Sequence, residues 1–112
     1  MFHSLHAMFM DEYTELALAV DEIAERIRAL GASDPGTYRQ LAEFSVVPED
    51  TDVPDAREMV RRLVAAHEAT DRTIRETLPL AEGAPDQVST DLLVRRPDVH
   101  EKTAWMLRSL LE

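Results

Sequence analysis

Residues 2–31, FHSLHAMFMDEYTELALAVDEIAERIRALG, decide the fold of this 112-residue chain. Apolar side chains fall at Phe2, Leu5, Phe9, Leu16, Val20, Ile23, Ile27 and Leu30. Steps of three, four and seven trace one face of a long α-helix. Gly31 follows the last periodic residue, where a helix needs a residue free to turn left-handed, and Arg26 and Arg28 sit in the last turn, where positive charge is favoured. The segment is predicted to be a single helix ending at Gly31.

The same reading extends outward. A second long helix is predicted from Pro54 or Asp55 to Leu78, with Asp55 as its N-cap and Met59, Val60, Leu63, Val64, His67, Ile74 and Leu78 on its stripe. Pro79 should end it. A third begins near Asp86 and carries Val88, Leu92, Leu93, Val99, Trp105, Met106, Leu110 and Leu111. Pro97 removes a backbone donor and crowds the carbonyl of Leu93, so a kink or break is expected at residues 94–96. Between the first two long helices lie roughly residues 31–54, with a short helix expected at residues 37–44. Antiparallel neighbours need only ~2–8 linking residues, so this connection is long enough to run the length of a bundle. No alternating strand pattern occurs, and the reading is one all-α domain over residues 1–112.

Composition narrows the function. Twenty-two acidic residues against 12 basic ones give a net charge of −10. Eleven of the 12 are arginine and only Lys102 is lysine, with no basic tail at either end. Nucleic-acid affinity rests largely on phosphate neutralisation, so direct DNA binding by this chain is disfavoured. The charge either serves solubility alone or suits cations. There is no cysteine, which excludes disulfides, zinc-thiolate sites and cysteine nucleophiles. The longest apolar run, Leu16 to Val20, cannot span a membrane, and Met1-Phe2-His3-Ser4-Leu5-His6 does not read as a secretory leader. A cytoplasmic location is the expectation.

Candidate ligands on the first helix are His6, Asp21 and Glu25. Asp21 and Glu25 stand ~6 Å apart along the axis and ~40° around it, so they can share one cation. A solvated pair, or one engaged with Arg26 and Arg28, is the ordinary alternative. His6 lies ~22 Å from Asp21 along a straight helix, so one chain cannot bring both to one ion. Two such helices packed antiparallel about a twofold axis near Thr14 and Glu15 place His6 of one copy level with residue 23 of the other, midway between Asp21 and Glu25. A symmetric dimer then holds two equivalent sites. Such a nitrogen and oxygen ligand set suits Fe(II), Mn(II) or Zn(II).

These residues carry a resemblance. Leu5-His6-Ala7-Met8-Phe9, Tyr13-Thr14-Glu15-Leu16-Ala17 and the run from Val20-Asp21-Glu22-Ile23-Ala24-Glu25-Arg26 to Gly31 resemble the second helix of the Dps family, the DNA-protection-during-starvation mini-ferritins. Asp91-Leu92-Leu93 and His100-Glu101-Lys102-Thr103-Ala104-Trp105-Met106-Leu107 resemble the family's last helix, and the similarity covers essentially all 112 residues. The resemblance implies a ferritin-like four-helix bundle, which fits the single long crossover. It further implies assembly into a dodecameric cage, with ferroxidase sites across twofold interfaces that oxidise Fe(II), typically with hydrogen peroxide, and store ferric mineral against oxidative stress. His6 matches a site histidine, Asp21 the bridging aspartate and Glu25 the glutamate.

Two departures accompany it. The family's first helix, with another site histidine in a His-Trp-Asn-like segment, has no counterpart in these residues, and His3 is one turn from His6 rather than its equivalent. The expected architecture is therefore three long helices plus a short crossover helix, with apolar faces that call for association, a rearranged bundle or low stability. The family also commonly has an acid four residues after His6, where this chain has Met10, a poor donor for Fe(II). Ferroxidase activity and an inactive helical assembly that keeps only the oligomer interface are thus the two readings. His67 and His100 read as partly buried or surface helix residues rather than ligands, and Trp105 as a core or interface anchor. Asp86 and Asp91 read as favourable charge at a helix start before any role in a cation pore.

Overall fold

The computed structural model describes residues 2–112; Met1, where the leader reading starts, lies outside them. All elements are helical: α1 (Phe2–Ala29), α2 (Tyr38–Phe44), α3 (Ala56–Gly83) and α4 (Gln87–Ser109), with no strand among the described residues. The three long helices and the short helix of the crossover stand where the periodicity puts them. The chain divides into two compact units, residues 1–37 and 38–112.

In the first unit, α1 stops for the reason its sequence gives. The Gly31 N–H donates to the Arg28 carbonyl at 2.9 Å and the Ala32 N–H to the Ile27 carbonyl at 3.2 Å, the paired bonds of a Schellman cap. Gly31 has φ 90°, and no heavy atom stands within 4 Å of where a Cβ would be, so backbone conformation alone demands glycine. The apolar stripe is less covered than its spacing implies. Leu5 and Ala19 are buried, whereas Phe2, Val20 and Leu30 are 76%, 62% and 58% exposed. A single chain leaves much of this helix uncovered.

In the second unit, α3 and α4 pack against each other as an antiparallel pair, as the cross-contacts Arg57 to Leu111, His67 to His100 and Arg75 to Glu101 require. Both begin with an aspartate cap. Asp55 accepts from the Glu58 N–H at 2.9 Å and Asp86 from the Ser89 N–H at 3.0 Å. Val60, Val64, Ile74, Leu92, Ala104 and Leu107 are buried, and Leu107 is wholly inaccessible. Its full burial contributes on the order of 1.5–3 kcal/mol. Trp105, by contrast, is 61% exposed and is no core anchor of the single chain.

Neither internal proline ends a helix. Pro79 lies four residues inside the end of α3, and the ladder re-forms beyond it, with the Ala84 N–H donating to the Leu80 carbonyl at 3.1 Å. Pro97 stands within an unbroken α4, so of the kink or break expected at residues 94–96 the break is absent. A proline removes one N–H and crowds one carbonyl; the packing of α3 on α4 offsets a loss of that size.

The crossover is held to α3 by charge. Arg62 donates to Asp52 at 2.8 Å, to Asp50 at 3.2 Å and to Glu58 at 3.3 Å. Its hydrogen bond holds the Asp52 carboxyl below the ordinary 3.8. Tyr38 donates its hydroxyl to Glu49, and that bond pushes the phenol above its ordinary 10.0. Between them, Leu41, Phe44, Val46, Val47 and Val53 remain exposed.

Candidate functional site

The three residues expected to hold metal all lie on α1 and are all exposed. At 100° per residue, Asp21 stands ~60° and Glu25 ~100° around the helix from His6, so the three occupy one sector of its surface. Along the axis they separate into two groups, because α1 is one continuous 28-residue helix. The His6 ring stacks on Phe2, with centroids 5.7 Å apart and planes inclined by 11°, which braces the imidazole at one end. Among the described residues no three histidine, aspartate or glutamate side chains converge as a metal site. That is the outcome α1 imposes on a single copy: imidazole and carboxylates cannot meet within it.

The structure brings together a different pair. His67 of α3 and His100 of α4, 6% and 4% exposed, place their Nδ1 atoms 2.9 Å apart. Nη2 of Arg96, itself 6% exposed, lies 3.0 Å from His100 Nε2. The bonding orders the protons. A guanidinium only donates, so His100 Nε2 accepts and its ring proton sits on Nδ1. That N–H donates to His67 Nδ1, whose own proton is then on Nε2. The chain Arg96 to His100 to His67 thus runs in one direction. This uses both Nδ1 positions for hydrogen bonding and makes the pair a poor metal chelate as it stands, since His100 would have to move its proton against Arg96.

A cavity of about 260 Å³ adjoins the pair, lined by His67, Glu68, Asp71, His100, Glu101 and Arg108 among others. Its charges are largely matched. Arg108 donates to Glu68 at 2.9 Å, and Arg75 bridges Asp71 at 3.0 Å and Glu101 at 2.9 Å. Asp71 Oδ1 is buried without a hydrogen-bond partner.

The periodicity puts His67 on the apolar stripe but does not pair it with His100. The available signal was the i, i+4 series Leu92, Arg96, His100 and Ala104, whose members are all buried. Two cationic-type residues on such a face require polar partners across the interface. Asp86 is the N-cap of α4, the helix-start role read for it, whereas Asp91 lies beyond the first turn and pairs with Arg95 at 3.2 Å.

Known proteins match this chain throughout. A family described as Ferritin-like domain matches residues 1–112. DNA protection during starvation protein 2 of Bacillus anthracis is 34% identical over 98% of this chain and 75% of its own length. A low temperature-induced protein of a Nostoc species is 36% identical over 99% of this chain, which spans 63% of that relative. The crystal structure of a Dps protein from Vibrio cholerae, described as a member of a broad superfamily of ferritin-like diiron-carboxylate proteins, superposes with a TM-score of 0.93 at 32% identity. The superposition covers 99% of this chain and 70% of that one. Among the described residues no helix is long and apolar enough to cross a membrane. The chain belongs to the Dps family of ferritin-like proteins.

Proposed function

We propose that this chain binds iron as a mini-ferritin and oxidises Fe(II) at sites shared between two copies. His6 of one copy supplies the imidazole, and Asp21 and Glu25 of the other supply the carboxylates. One observation carries the reading: all three groups are exposed in one sector of a continuous helix, in two clusters that only a second, antiparallel helix can unite. The exposed Tyr13, Leu18, Val20 and Ile23 give that helix apolar surface for the partner to cover. Iron is the substrate and cargo. The carboxylates hold it as Fe(II) and stabilise the added charge of Fe(III), while electrons pass to peroxide or oxygen. Removing both Fe(II) and peroxide limits radical damage, a role in stress response. Closed assembly of such dimers, up to a dodecameric cage, belongs to the same proposal, as does a cytoplasmic setting.

Ferric absorbance after addition of Fe(II) and peroxide tests the reading. Asp21→Ala with Glu25→Ala is expected to abolish the fast phase, and an unchanged rate refutes it. A second reading, an assembly that keeps the interface without ferroxidase chemistry, is favoured by Met10 standing on the ligand face. Under it, wild type and the double variant sediment alike as oligomers and neither oxidises iron faster than buffer. Direct DNA binding is disfavoured by the charge of −10; a tight, salt-sensitive mobility shift overturns that exclusion.

A further inference from the structure

We draw no further inference here: the strongest candidate, the exposed apolar patch that Leu41, Phe44, Val46, Val47 and Val53 form on α2 and the crossover, is an unpartnered face, and nothing in the structure shows what covers it.

Discussion

Replacing His100 tests whether the buried imidazole chain holds α3 to α4. Its ring is 4% exposed, so truncation to alanine leaves a cavity of the kind that costs about 2–4 kcal/mol. His67 Nδ1 also loses the N–H that lies 2.9 Å away, and Arg96 loses the acceptor at 3.0 Å. Losing a buried partner adds about 1–3 kcal/mol. Allowing for local collapse, His100→Ala is expected to cost about 3–5 kcal/mol, a urea midpoint lower by roughly 2–3 M for a domain of this size. The sharper test is a cycle with leucine. His67→Leu removes the acceptor that the His100 Nδ1–H meets and His100→Leu the donor that His67 Nδ1 meets, whereas the double variant removes both members of that bond. The double variant should therefore be less destabilised than the sum of the singles by about 1–3 kcal/mol. Circular dichroism at 222 nm, at one fixed protein concentration because assembly shifts apparent stability, gives all four midpoints. Additive singles, or a cost below about 1 kcal/mol for His100→Ala, refute the directed chain.

Other outcomes follow from single residues. Gly31→Ala forces a Cβ into φ 90° and should lower thermal stability by about 1–2 kcal/mol. Asp55→Ala removes the cap on Glu58 and should cost about 1 kcal/mol, while Asp55→Asn should cost much less. Pro79→Ala restores an N–H toward the Arg75 carbonyl at an exposed position and should stabilise α3, read as a higher urea midpoint. Asp52 titrates below 3.8 in the folded chain. A depressed carboxyl adds stability that is present above its unfolded value and lost as pH falls through the folded one, so this anchor should persist to pH 4 and fail below it. Carboxyl NMR titration reads this directly, and Arg62→Gln should return Asp52 toward its ordinary value. Glu49→Gln should likewise bring Tyr38 ionisation down toward 10.0 in an ultraviolet titration.

Where the sequence was legible, one residue carried one local physical demand. Gly31, Asp55 and Asp86 each satisfy backbone groups within a turn of themselves, so their roles are visible without tertiary knowledge. The helix ends expected at Pro79 and at a break before Pro97 were misread for the complementary reason. A local rule gives the penalty of Pro79 or Pro97, but whether the helix survives depends on packing between α3 and α4, which is remote in sequence. The His67–His100 bond spans 33 residues and could be found only by asking what a histidine on an apolar stripe bonds to. His6, Asp21 and Glu25 lie outside even that logic. The meeting proposed for them needs two chains, and one chain displays only the separated halves.

The one-way chain of protons through Arg96, His100 and His67 also bears on how the hairpin finds its alignment. Apolar side chains on two long helices tolerate sliding by a turn, because one aliphatic contact replaces another at small loss. A lone imidazole facing leucine does not, since its donor or acceptor is then stranded in a dry interior. The buried polar pair thus works as a register pin, penalising every slipped arrangement of α3 on α4 more than it strengthens the correct one.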